Sequence, residues 1–196
     1  MKKNVWQKVK KPVILTIVTL LVIGAYYYCT RIEKDNNEKM ATQNEIAQIT
    51  SKDLELNYPS TPKAVVTYYS DIISVIYKID MKDEELAKVA TQMRGLFDEE
   101  LLLVNSYNAY LDSLKLDIEL YKSADRYISG YEVENGYNIE YITYQDEDYA
   151  KVDVLYYVRE GSNLKRVYEE YTLREDEDGR WKILFWELTD SSSMEE

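Results

Sequence analysis

Tyr149-Ala150-Lys151-Val152-Asp153-Val154-Leu155-Tyr156-Tyr157-Val158-Arg159-Glu160 is the stretch that decides the fold. Ala150, Val152, Val154, Tyr156 and Val158 are apolar with no charge among them, while Lys151, Asp153 and Arg159 fall between. Successive strand side chains point to opposite faces, so the run reads as a strand with one buried face. Gly161-Ser162-Asn163 follows as a turn signal, and the alternation resumes over 164–174. Working outward, a period of two predicts strands at 127–134, 137–145, 149–160, 164–174 and 180–188. Asn135-Gly136, Asp146-Glu147-Asp148 and Asp178-Gly179 mark the other turns, and connections this short predict an antiparallel meander.

Upstream of Arg126 the apolar period is that of a helix. Val65, Val66, Tyr69, Ile72, Ile73, Ile76 and Tyr77 line one face, with Thr61 placed to cap and Pro62 at the first helical position. A second helix starts near Asp83, buries Leu86, Val89, Ala90 and Met93, and ends around Gly95. Asp98 can cap a short third helix through Leu101–Val104. Ser106 can cap a fourth, striped by Tyr107, Tyr110, Leu111, Leu114, Ile118 and Tyr121. Helices first and strands afterwards predict an α+β domain over 58–189, its helices packed on one face of a curved antiparallel sheet.

Residues 30–57 are polar, with thin apolar content at Ile46, Ile49 and Leu54. They are expected to form a partly helical stalk that is not independently folded, and residues 190–196 a disordered tail. Further upstream, Lys2, Lys3, Lys8, Lys10 and Lys11 precede an apolar run, Val13 to Ala25, broken only by Thr16 and Thr19. Pro12 to Cys29 meets the length of roughly 17–25 residues that a membrane-crossing helix needs. Trp6 and Tyr26 to Tyr28 suit the interfaces, and the Lys-rich residues 1–11 stay cytoplasmic. The expected topology is therefore a single-pass anchor at 12–29, with all that follows outside the cell membrane. A cleaved signal peptide or lipidation at Cys29 are the alternatives, and both favour small residues where Tyr26 to Tyr28 stand.

Composition narrows the chemistry. All 36 acids follow Thr30, and five of the 24 Lys and Arg precede it, so the exported part carries a net charge of −17. Such a surface repels nucleic acid, and no basic patch offsets it. The chain has no His and one Cys, which argues against a zinc site and removes the commonest general base. The acid runs Glu175–Asp178 and Asp146–Asp148 lack the spacing of a calcium loop. No metal, cofactor or catalytic constellation is expected.

The order of elements, with Thr61-Pro62 opening a long helix and Asp178-Gly179-Arg180-Trp181-Lys182-Ile183 opening a last strand, resembles the nuclear transport factor 2-like superfamily. The resemblance covers roughly residues 58–189. It implies a cone in which a bent sheet wraps a long N-terminal helix, often around a pocket. An anchor followed by such a cone also looks like small membrane-anchored proteins of Gram-positive bacteria and the channel subunits of type IV secretion systems. Steroid isomerases and small dehydratases of the superfamily place Asp, His or Tyr in the cone, but no position here matches such a motif.

One residue breaks the pattern of its strand. Glu169 shares a face with Val167, Tyr171 and Leu173, and an inward acid costs several kcal/mol unless paired, hydrogen-bonded or protonated. Either it is a pocket carboxylate, or it forms a structural ion pair for which Arg94 is the expected partner. Twenty tyrosines are the other anomaly, useful in a damp pocket or an interface and equally at home in half-buried strands. Trp181 and Trp186 are an odd number of residues apart, so opposite faces are expected, one on the helices and one free for an interface. The candidate residues are Glu169, Arg94, Tyr69, Tyr156, Tyr171 and Trp181. Two functions fit: a binding or assembly module working through protein contacts, or a small-ligand receptor or pocket enzyme using Glu169 and tyrosines.

Overall fold

The computed structural model describes residues 27, 30, 31, 34 and 40–190. The expected anchor lies outside these residues except for Tyr27, as do residues 1–11 and 191–196. Among the described residues no helix is long and apolar enough to cross a membrane. The chain divides into two compact units, Met1–Asn44 and Glu45–Glu196. In the first, the described residues are helical and mostly exposed, and the Thr30 hydroxyl donates to the Tyr27 carbonyl at 3.0 Å.

The second unit is an α+β domain, its helices packed on a curved antiparallel sheet. The helices are α1 (Pro62–Ile76), α2 (Asp83–Arg94), α3 (Glu99–Val104) and α4 (Tyr107–Ser123). The strands are β1 (Arg126–Val133), β2 (Glu140–Tyr144), β3 (Glu147–Glu160), β4 (Asn163–Glu175) and β5 (Trp181–Thr189). Local chemistry sets most boundaries. Thr61 Oγ accepts from the Ala64 amide at 3.1 Å, and Asp98 Oδ1 accepts from the Glu100 amide at 2.9 Å. Each thereby satisfies an amide that a helix start leaves open. Ser106 precedes α4 without a side-chain cap bond. Gln145 and Asp146 both adopt positive φ, at 53° and 65°, giving the two-residue hairpin between β2 and β3. The turn therefore sits one residue earlier than Asp146-Glu147-Asp148, and β3 begins sooner.

The domain starts earlier than position 58. Residues 45–50 are helical, and Ile46 and Ile49 enter the core at 7% and 6% exposure. The Tyr68 hydroxyl donates to the Ile49 carbonyl at 3.0 Å, and the Gln92 amide to the Lys52 carbonyl at 3.0 Å. Two apolar residues three positions apart are too few to signal a buried stripe. They suffice here because α1 and α2 already present a surface to cover.

The sheet is the expected antiparallel meander over β2 to β5, with β1 departing from it to pair β3 as well. Its order is β1-β3-β4-β5, and β2 pairs β3 as well. β1 takes the stretch of β3 from Val154 to Glu160, and β2 takes Glu147 to Lys151, so both share one edge of one long strand. Glu134 closes the gap between them. Its amide donates to the Asp153 carbonyl at 3.0 Å, and its buried carboxylate accepts from the Asp153 amide at 2.8 Å. Lys63 donates to the Glu134 carbonyl at 2.5 Å, tying the seam to α1.

Two irregularities reset the faces. β1 shifts register between Ile128 and Gly130, and β5 shifts opposite Thr172 and Leu173, with Leu184 as the extra residue. An extra residue inverts the in-out order of all that follows it. Tyr171 consequently faces Trp186 across the ladder, just as Glu175 faces Trp181. Both tryptophans lie on the helix-facing side of the sheet, contrary to the odd-number reading. Trp181 is 9% exposed and Trp186 is 37% exposed.

Candidate functional site

The helix-facing side of β4 carries Val167, Glu169, Tyr171 and Leu173 in turn, and Glu169 points inward as its strand pattern requires. It is half-buried, whereas Tyr171 and Leu173 are fully buried. A line of hydroxyls leads to it from α1. Ser70 Oγ lies 2.7 Å from the Tyr156 hydroxyl, which lies 3.0 Å from that of Tyr171. Tyr171 then donates to Glu169 Oε2 at 2.7 Å. Ser70, Tyr156 and Tyr171 are all buried. Each polar tip thus finds a partner in an otherwise apolar core, which removes the cost of leaving it unmet.

Burial raises the Glu169 carboxyl above its ordinary range, and the Tyr171 hydroxyl acts in the opposite direction by favouring the ionised form. The expected ion pair with Arg94 is not formed. Arg94 ends α2, donates to the Asn105 carbonyl at 2.6 Å, and lies 5.8 Å and 5.5 Å from the ring centres of Tyr107 and Tyr110. It braces the α3–α4 connection and lines a charged cleft with Arg174 and Glu175, away from any bond to Glu169.

The ion pair that the sequence reading missed joins Arg174 to Asp98. Arg174 donates through Nε to Oδ2 at 3.0 Å and through Nη2 to Oδ1 at 2.6 Å. The two side chains are 16% and 5% exposed. Arg174 also reaches Glu100 at 2.9 Å and Glu147 at 3.4 Å, and its bond to Asp98 raises its pKa further. It stands in a charged cleft of about 640 Å³ with Asp98, Glu99, Glu147, Glu175 and Lys182 among its lining. Asp98 was legible as a cap. Nothing local to Arg174 singled it out, because the pair spans 76 residues.

Another opening is an aromatic groove of about 370 Å³ between α1, α4 and β5. Tyr69, Tyr77, Tyr110 and Trp186 line it with Met93, Leu116, Asp117 and Leu120. The Tyr69 ring meets those of Tyr171, Trp186 and Phe97 at 5.7, 5.8 and 6.0 Å between centres. Trp186 stacks on Tyr171 at 6.0 Å with the planes 21° apart. Tyr77 stacks on Tyr121 at 4.1 Å and donates to Asp117. Leu116 and Leu120 stand at 58% exposure on the α4 rim, and Leu188 at 74% on β5.

Of the candidate residues, Tyr69, Tyr156, Tyr171 and Glu169 are brought together by ring contacts and hydroxyl bonds. Trp181 stands apart, its carbonyl accepting from Tyr58 at 2.8 Å and its ring 5.7 Å from Tyr141. Ser70 and Trp186 complete the cluster. Ser70 falls within the buried stripe of α1, and that position was its only signal. Among the described residues no three acids, cysteines or histidines converge as metal ligands.

A family model described as Domain of unknown function (DUF6715) matches residues 1–186, and the chain belongs to that family. No curated protein matches it.

Proposed function

We propose that this member of the DUF6715 family is a membrane-anchored, extracytoplasmic binding module that holds protein partners of the cell envelope or a secretion complex through its aromatic groove. In this reading residues 12–29 cross the membrane with the N-terminus inside, and the α+β domain is a cone of the nuclear transport factor 2-like kind. The Lys-rich flank and the apolar run behind it support the topology. The long helix α1, buried against a curved sheet, supports the cone.

The observation that carries the function is the groove itself: exposed Trp186 and half-buried Tyr77 and Tyr110 stand over buried Tyr69, beside exposed Leu116 and Leu120. Apolar side chains left at a surface in this way mark contact sites, and aromatic residues dominate the centres of protein interfaces. Glu169 does not line the groove, and its lining acid, Asp117, already accepts from Tyr77.

A photo-crosslinking residue at Leu116, in intact cells, tests this. A discrete adduct is expected that disappears with Trp186→Ala and is absent when the same residue replaces Lys165 on β4. Adduct patterns that are identical from both positions overturn it. External protease on those cells should remove the domain from the membrane, and full protection overturns the topology.

A second reading, a small-ligand receptor or pocket enzyme, rests on the hydroxyl line from Ser70 to Glu169, because a carboxyl with a raised pKa beside tyrosines is a common functional device. Glu169→Gln separates the two. Under the receptor reading it abolishes ligand binding, and under the module reading it leaves the Leu116 adduct unchanged.

A further inference from the structure

β5 has two edges, and among the described residues only one is fully used. Along its length it pairs with β4. On its other edge the segment Leu96–Asp98 makes a single rung: the Ile183 amide donates to the Leu96 carbonyl and the Asp98 amide to the Ile183 carbonyl, both at 2.8 Å. The ladder stops there because Asp98 caps α3 and turns the chain into a helix. Antiparallel pairs alternate between residues bonded to the partner strand and residues whose amides and carbonyls point away from it. Counting from Ile183 past the extra Leu184, that alternation places the main-chain groups of Trp186 and Leu188 on the free edge. Among the described residues no further rung covers them.

Exposed edges are normally blunted by Lys, Pro, bulges or a covering element. The run Phe185-Trp186-Glu187-Leu188-Thr189 carries neither Lys nor Pro, and its register is regular. Phe185 is 45% exposed and Leu188 is 74% exposed. Trp186 lines the groove and Leu188 shares its face of β5, so one added strand would meet donors, acceptors and an apolar trough together.

Resting on the groove reading, we propose that the free edge of β5 from Phe185 to Thr189 takes up an extended segment of a partner protein as an added strand. That segment alternates apolar residues with Lys or Arg. Apolar residues on its helix-facing side would pack on Trp186, Leu116 and Leu120. Cations on the other side would meet Glu187, on a domain whose exported part carries −17. A second copy brings the same negative charge and its own Glu187 to the edge, so it is the poorer occupant.

The test uses the full-length chain in detergent micelles and a fluorescein-labelled heptapeptide of alternating valine and lysine. Binding should slow amide exchange at Trp186 and Leu188 at least tenfold and leave the exposed strand β2 unchanged. N-methylation of alternate peptide residues should weaken binding at least tenfold, as should Leu188→Pro. That proline removes an edge amide at a site where little side chain is buried; Leu188→Lys, which keeps the backbone intact, should weaken binding by placing a charge among the apolar contacts. Failure of the peptide to bind overturns the proposal, as does equal binding of the N-methylated form. So does protection of these amides by self-association without peptide. If the peptide binds and cross-links to Leu116 but slows no edge amide, added-strand binding is wrong while the groove reading stands.

Discussion

Two regions of the domain treat charge in opposite ways. In the charged cleft, Asp98 is almost fully buried and receives a two-point bond from Arg174, which also holds Glu100 and Glu147. At the aromatic end, Glu169 is only half-buried and receives one neutral hydroxyl from Tyr171. The first arrangement fixes a helix start to the end of a strand. A buried pair of this kind is weak evidence for net stability, but its halves depend strongly on each other. The second leaves an acid whose ionisation the fold opposes. Ionic bonding therefore locks one end of the sheet and leaves the other responsive to protonation.

The comparison is broken first at Arg174. Arg174→Met strands the Asp98 carboxylate and should cost about 3 kcal/mol in urea unfolding. Adding Asp98→Asn should recover part of that loss, because the cap survives while the charge goes. A loss below about 1 kcal/mol, the range of surface pairs, would show that the cleft is solvated and the contrast unreal.

Next comes Tyr171→Phe, which cuts the hydroxyl line in its middle. Tyr156 keeps Ser70 as a partner, but Glu169 loses its only donor among the described residues. A loss of about 1–2 kcal/mol is expected, together with a further rise of the Glu169 pKa. Carboxyl chemical shifts followed through a pH titration read that rise directly, and an unmoved midpoint would mean that the bond is not made in solution.

The smallest effect in absolute stability, and the most specific in sign, belongs to Glu169→Gln. Because the folded pKa lies above the ordinary 4.5, the folded state binds more protons than the unfolded state between those two values. Stability contributed by this group therefore falls as pH rises through that window and is level above it. The amide should abolish the fall, leaving the variant at least as stable as the parent at pH 7. A variant that loses stability at pH 7 would show that the carboxylate is held by an ionic partner, as Asp98 is.

Much of this architecture is readable from short windows. The switch from a period of 3.6 to two near Tyr127, the caps at Thr61 and Asp98, and the turn at Gly161, which takes φ 58°, each depend on a few neighbouring residues. Glu169 was legible for the same reason, since alternation within one strand is enough to turn it inward. Arg94 was a poor choice of partner because proximity along a helix says nothing about which strand it faces. The stalk reading failed at Ile46 and Ile49, where two residues gain burial only from surfaces supplied by α1 and α2.

By itself, then, the sequence determined the element types, their order and the inward acid, because backbone period, capping and turn conformation are set by interactions spanning a few residues. The tertiary structure alone decided that β1 and β2 share one edge of β3, with the Glu134 carboxylate bridging the gap between them. It alone decided that Leu184 bulges and sends Trp186 to the helix side, and that Asp98 finds Arg174 across 76 residues. These outcomes turn on how distant elements compete for the same edge, face or charge. No local pattern encodes that competition, because every alternative keeps the same caps, turns and periods and differs only in what lies across the gap.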